Sequence, residues 1–593
     1  MVLRKNVYIL PEYQNLYSGG GSSSLTQYHY AAGQPAEWKA LDGKYFPDYT
    51  DDASWGPRMT GQEYIPWYAW FPGTKYSFKT APLVGQPDNA RDFWETGVTS
   101  TTNAAFSKSG PGYSTRMSYT NQYIKGLLPS TNSKRNNIFF SGTADLNEHF
   151  TVGVNATYST TTIRGEFVDG YANQSAGSFN QWFHRHNDMN IMRELAGMKS
   201  PTGNLMSWNF YTNPDGAKGY DDINGNYWYN YYDYFANKNY VNGRDRLFGD
   251  FSLRYKLNNH FNVKATIRKN QLSTYTENIT TSLLEQSALQ TGILAEYDTR
   301  TTFYNEYNYE GLATYSNSYF DNKLAFNITG GGNVLRTLYK ENTAVTENGL
   351  NIPNLYSLSN SAAQPTLGNR REDSRVNSLF ASGDLEWNKY ASVTFAVRND
   401  WYSTLDPEIG NSLFSPSVGA SFVVSEFTKG SLPWLSFAKV FASWGKKPTS
   451  IAIYRNNFGY SPAANLWDGN FLMGTTDDLV DENLKGSLVT TYEAGVDLRL
   501  FKNRFGVNFV YYNEDNDLEP LSVQTDPVSG FTNLVVNAVH VKREGVELQL
   551  NATIIKGKDL TWDATATFGY LIKNPIKNLY QDQQRVLLAG GSF

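Results

Sequence analysis

The sequence predicts an all-β fold, a transmembrane antiparallel β-barrel with long loops on one side, and three observations carry the prediction. The chain of 593 residues holds 42 Tyr, 34 Phe, 14 Trp and 49 Gly; aromatic residues favour strands, and glycine favours the tight turns between them. Apolar and polar residues alternate through many stretches, the period-2 signature of a strand with two unlike faces. These stretches come in pairs, with short polar turns at one end of each pair and long connections at the other.

Along the chain, the first turn is "SGPGY" at 109–113. Ile138, Phe140, Ala144 and Leu146 then lead through "NEH" to Phe150, Val152, Val154, Ala156 and Tyr158. The clearest hairpin is "FSLRYKLNNHFNVKATIRKN". Phe251, Leu253, Tyr255 and Leu257 alternate with Ser252, Arg254 and Lys256, and after Asn258-Asn259-His260 the pattern restarts as Phe261, Val263, Ala265 and Ile267. Further turns are read in "YFDNK" at 319–323, "EWNKY" at 386–390 and "SEFTKGSLPW" at 425–434. Tyr492, Ala494, Val496, Leu498 and Leu500 pass through "FKNR" to Phe505, Val507, Phe509 and Tyr511, and "IKGKDL" at 555–560 closes the series. The expectation is eight hairpins, about sixteen strands of roughly 10 to 14 residues.

The connections between hairpins span 165–244, 274–302, 338–375, 446–488 and 516–543. Segregating short turns from long loops is the pattern of an outer-membrane barrel, whose strands turn apolar residues to lipid and polar ones to the lumen. Arg254, Lys264 and Arg268 lie on the polar face, where a water-filled lumen accepts charges that an apolar core would not. A large soluble β-solenoid or multi-sandwich adhesin with half-solvated sheets is the competing architecture. With the short turns inside, the strand at 561–572 runs outward, and an even-stranded barrel then needs another inward strand. "QRVLLAGGSF" offers only weak alternation at Leu587, Ala589 and Phe593, so the chain is expected to be cut short at its C-terminus.

Composition narrows the function classes. A net charge of −5, with 51 basic and 56 acidic residues and no Lys/Arg cluster, argues against a nucleic-acid partner. The absence of cysteine excludes disulfides, thiolate metal sites and cysteine nucleophiles. No run of 18 apolar residues predicts a membrane helix, and "MVLRKNVYILPEYQ" lacks the form of a signal peptide.

Nine segments in order resemble the SusC/RagA-type TonB-linked outer-membrane transporters of Bacteroidetes. They are "SWGPRMTGQ", "PLVGQPDNARDFWETG", "SYTNQYIKGLLPSTNSKRNN", "SFNQWFHRHNDMNIMREL", "GRDRLFGDFSLRYKL", "SLFASGDLEWNKYASVTFAVRNDWYSTL", "FAKVFASWGKKPTS", "NLKGSLVTTYEAGVDLRLFKNRFGVNFVYYNEDNDL" and "VKREGVELQL". The resemblance implies a 22-stranded barrel importing oligosaccharides, or in some members peptides, driven by TonB–ExbB–ExbD and lidded outside by a SusD-like lipoprotein. It implies no enzyme activity and no cofactor. The family's signal peptide, plug and TonB box are not found in these residues, so the chain is expected to be an internal piece. Residues 1–100 would then form the plug-to-barrel transition and first barrel segments, and residues 101–593 an incomplete barrel. A passive porin and a surface glycan-binding adhesin remain the alternatives.

The densest aromatic run, "NYWYNYYDYF" at 226–235, falls in the longest connection, outside the membrane near the barrel mouth. Tyr227, Trp228, Tyr229, Tyr231 and Tyr232, with Trp467 in a later connection, are the candidate ligand-binding residues, because such side chains combine a large rigid face with a polar tip. Packing within the loop or against the lid, or a place in an interfacial aromatic girdle, competes with that role. His184 and His186 have the spacing of a metal pair but stand nearer to loop packing. "DDINGN" at 221–226 lacks the full register of a calcium loop. Gly19–Gly21 and Gly330–Gly332, without a following helix or Lys-Ser/Thr, are expected to be turns or bulges. The serines of "GPGYSTR" and "ASWGKK" and the acidic "TTDDLVDENL" do not make a catalytic set.

Overall fold

The computed structural model describes residues 2–4, 11–165, 179, 182–408, 410–428, 430–456, 459–463 and 467–578. Sixteen long strands run through them in chain order: β1 (Gly97–Gly110), β2 (Tyr113–Lys125), β3 (Asn132–Asp145), β4 (Phe150–Arg164), β5 (Lys238–Lys256), β6 (Phe261–Thr280), β7 (Glu296–Tyr319) and β8 (Leu324–Leu350), then β9 (Ser361–Trp387), β10 (Ala391–Tyr402), β11 (Ser412–Val423), β12 (Leu435–Pro448), β13 (Leu488–Leu500), β14 (Phe505–Gln524), β15 (Asn533–Lys556) and β16 (Thr561–Lys573). Each is antiparallel to the next, as β5 is to β6 from Lys238↔Thr280 to Lys256↔Asn262. All eight expected short turns lie at one end of the sheet. In "EWNKY", Asn388 and Lys389 take φ of 48° and 62°, the paired left-handed residues whose twist matches that of the flanking strands.

The two faces divide as the alternation predicts. Phe251, Leu253, Val263, Ile267, Val393, Val418, Val440 and Phe509 are exposed on the outer face, where lipid rather than water accounts for an apolar band. Tyr255, Phe320, Trp387, Phe427, Trp434, Phe501 and Trp562 are exposed at the short-turn end, an aromatic girdle at the membrane interface. Inward residues are mostly polar, and several pair across strands, as Arg268 does with Glu310 at 2.7 Å.

Half of the strands, β1, β10 and β16 among them, keep the expected length, and the others exceed it. β8 and β9 reach 27 residues each, so the connection expected over 338–375 shrinks to the stretch between Leu350 and Ser361. Beyond the lipid the outer face no longer needs to be apolar, and Arg336 pairs there with Asp373 at 2.7 Å; the apolar pattern ends while the ladder continues. Gly330–Gly332 also departs from expectation. It sits inside β8 in regular register with Leu312, Ala313 and Gly311, and a Cβ on Gly331 would approach the Gly311 carbonyl to 2.5 Å. The weak alternation at Leu587 and Ala589 lies outside the described residues.

Candidate functional site

The long connections gather a second body at the long-loop end. Residues 11–96, 182–237 and 281–295 share one hydrophobic core: Trp38, Trp67, Trp70, Phe93, Trp208, Trp228 and Tyr231 are all buried in it, and Leu284 joins from the connection after β6. Ahead of the unit, among the described residues, Val2–Arg4 forms a strand that pairs with the long-loop end of β1 through Arg4↔Gly97. Residues 11–96, within the segment expected to lead from plug to barrel, thus pack with the loops at this end.

The aromatic run divides on this core. Asn230 caps α1 (Tyr231–Asn237), its side chain accepting the Tyr232 amide at 3.1 Å, so consecutive tyrosines leave the run in helical rather than strand directions. Trp228, Tyr229, Tyr231 and Tyr232 are buried. The Trp228 indole donates to Asp52 at 2.7 Å, the Tyr229 hydroxyl meets Thr291 at 3.1 Å, and Arg193 lies 5.0 Å over the Tyr232 ring. In this conformation these four hold the unit together rather than present themselves to a ligand. Tyr227 and Trp467 are exposed, by 48% and 72%.

The histidines belong to the same core. The Nε2 of His184 lies 2.8 Å from the Asp51 carbonyl, His186 Nδ1 accepts the Gly19 amide at 3.0 Å, and the rings stack with centroids 5.3 Å apart. Burial pushes His184 down to about 4 and His186 well below the usual histidine range. Both rings are neutral at physiological pH and act in packing, and among the described residues no third ligand joins them. Gly19 serves this contact: a Cβ there would stand 2.0 Å from the His184 ring, while Gly20 takes φ of 97°. In "DDINGN" the Asp222 carboxylate accepts the Lys218 and Gly219 amides at 2.6 and 3.2 Å and so closes a turn. Asp478 of the acidic stretch pairs with Arg455 at 3.1 Å.

Arg185, between the histidines, is the anchor that sequence reasoning passes over. It is buried, donating to the carbonyls of Gln14 at 2.9 Å and Pro87 at 3.1 Å, to Asn15 Oδ1 at 2.5 Å and to Asn89 Oδ1. Its guanidinium lies 4.8 Å over the Tyr13 ring and 5.3 Å over Phe183. The signal available was a charged residue between two histidines in an aromatic context.

Asp233 of α1 gives the unit a pH dependence. One carboxyl oxygen accepts the Gly197 amide at 2.5 Å and the other has no partner, and burial raises the group to about 7. Its folded value lies above its unfolded one, so the folded unit holds the extra proton from about pH 4 to 7, and stability falls as pH rises through that window. Asp233→Asn keeps the Gly197 contact and removes the titration. Relative to the variant, wild type should lose up to about 1.4 kcal/mol per pH unit, seen as faster proteolysis of the unit at pH 7.5 than at pH 5. Parallel pH profiles for the two proteins would refute the assignment.

Comparison with known proteins gives a consistent answer. Residues 190–589 match the family model described as TonB dependent receptor-like, beta-barrel. A 219-residue stretch is 25% identical to TonB-dependent receptor P39 of Formosa agariphila, covering 35% of this chain and 20% of that protein; receptor P3 of the same organism matches at 23% over 199 residues. Among solved structures, the RagAB peptide transporter superposes with a TM-score of 0.66 at 19% identity, over 83% of this chain and 52% of the other. Its open-open state gives 0.69, over 84% and 53%. The matched stretch therefore spans about a fifth of the curated relatives and half of the structural one.

Proposed function

Since this chain belongs to the family of TonB-dependent receptor-like β-barrels, an outer-membrane family of receptors and transporters rather than enzymes, we propose that it forms the membrane pathway and outer capture surface of a nutrient importer. Short turns face the periplasm in such barrels, so the aromatic unit stands outside the cell. The observation that carries the reading is the joining of a polar-lined sheet to a folded aromatic body at its outer end.

The solute class is an oligosaccharide or a peptide, held by exposed aromatic faces at Tyr227 and Trp467. A SusD-like lipoprotein covers the unit, and TonB–ExbB–ExbD supplies the energy. RagAB, a peptide transporter by its description, supports a peptide as readily as a glycan.

The test is uptake of labelled oligosaccharides and peptides by cells bearing the complete gene, with and without a protonophore and a TonB deletion. Loss of accumulation in both conditions supports energised import; unchanged passage would assign a passive pore. Tyr227→Ala with Trp467→Ala should weaken capture about tenfold, on the order of 1.4 kcal/mol, while the unit keeps its protease resistance. Undiminished capture would remove these two residues from the site.

A further inference from the structure

We propose that the lumen contains a subsite for an oxyanion, a carboxylate or sulfate group borne by the passing solute, built from Arg135, Arg244 and Arg246. These side chains come from two strands, β3 and β5, that flank β4. Arg135 of β3 stands opposite Thr161 of β4, while Arg244 and Arg246 of β5 stand opposite Thr161 and Ser159. Adjacent strands lie about 4.8 Å apart, so the three cations share two neighbouring rows. They line a cavity of 380 Å3 together with Gln122, Ser159 and Asn242, large enough for a small polar group of a ligand.

Among the described residues these three arginines form no ion pair, whereas several others on the inner wall do. Arg268 pairs with Glu310 at 2.7 Å, Arg300 with Glu341 at 2.5 Å and Arg398 with Asp400 at 2.8 Å, and Arg370 with Glu372. Two of the three meet neutral partners: Arg135 reaches Ser159 at 3.4 Å, and Arg246 reaches Asn270 at 3.1 Å while lying 4.8 Å over the Phe248 ring. Lower on the same wall, beyond Asp250, Arg254 faces Lys264 directly. Like charges set side by side oppose folding, and a wall that keeps them favours an anion entering between them. The guanidinium fork suits the two oxygens of a carboxylate or sulfate, and low-dielectric walls focus the field.

The inference rests on the import reading, but a binding measurement needs no transport and separates the two. Equilibrium dialysis of the full chain in detergent, at low ionic strength, would use radiolabelled inorganic sulfate, succinate and, as a neutral control, maltotriose. Sulfate, succinate or both should be retained in preference to maltotriose, and Arg135→Gln/Arg244→Gln/Arg246→Gln should weaken that retention at least tenfold. Arg268→Gln/Glu310→Gln, which removes a compensated pair, should leave it within twofold. Retention of sulfate alone would assign a sulfate ester and of succinate alone a carboxylate; either upholds the subsite. Binding no better than maltotriose, undiminished binding by the triple variant, or equal loss in the control pair would overturn it. If the triple variant loses its heat-modifiable fold, Arg244→Gln/Arg246→Gln carries the same expectations.

Discussion

Arg185→Ala should unfold the outer aromatic unit while leaving the strands assembled. The guanidinium satisfies two backbone carbonyls and two asparagine oxygens drawn from Gln14, Asn15, Pro87 and Asn89, and its removal leaves these acceptors without their charged donor. Hydrogen bonds to charged groups contribute about 1.5 to 3 kcal/mol each, and a stranded buried polar group costs about 1 to 3 more. Correlated losses within one cluster do not add, so the net is about 3 to 5 kcal/mol, a large part of the stability of a body this size. Arg185→Lys should recover only a fraction, because an ammonium cannot span four acceptors arranged for a planar fork. The check is hydrogen exchange of residues 11–96 and 182–237 beside the heat-modifiable migration of the barrel. Full protection of the unit in the alanine variant would show that the ring stacks alone hold it.

The hairpin turns are legible in the sequence because lipid on one side and water on the other force a strict alternation, and each break in it, as at Asn258-Asn259-His260, can only be a turn. The strand ends are not legible for the complementary reason. Above the lipid both faces of β8 and β9 meet water or neighbouring loops, and a stretch such as "RTLYKENTAV" carries no period that separates ladder from loop. The site is half legible. Its location at the long-loop end follows from counting turns, but the burial of Trp228, Tyr229, Tyr231 and Tyr232 depends on partners more than a hundred residues away, Asp52 and Phe93 among them. Aromatic density marks both a core and a binding face, and only the contacts tell them apart. The luminal arginines sit between these cases: "GRDR" shows two cations on one strand face, but their lack of carboxylates requires the registers of β3 to β6.

Ile267→Arg should destabilise the barrel by about 2 to 4 kcal/mol, and Val263→Arg by no more than about 1, although both residues are outward and comparably exposed. Register fixes their depths. Val263 pairs with Tyr255, a member of the interfacial aromatic row, so an arginine there reaches headgroups and water with little displacement. Ile267 pairs with Phe251, four residues further from the short turn, where a guanidinium meets hydrocarbon on all sides and must thin the bilayer or bend away. A luminal control separates this from a general intolerance of substitution. Arg254→Leu, on the inner face opposite Lys264, removes a like-charge pair and should stay within about 0.5 kcal/mol of wild type. Urea unfolding of the chain refolded into lipid vesicles, followed by heat-modifiable migration, would rank the three. Equal costs for Ile267→Arg and Val263→Arg would mean that the apolar band is not set at this depth, and a larger cost for Arg254→Leu would exchange the lipid and water faces of the sheet.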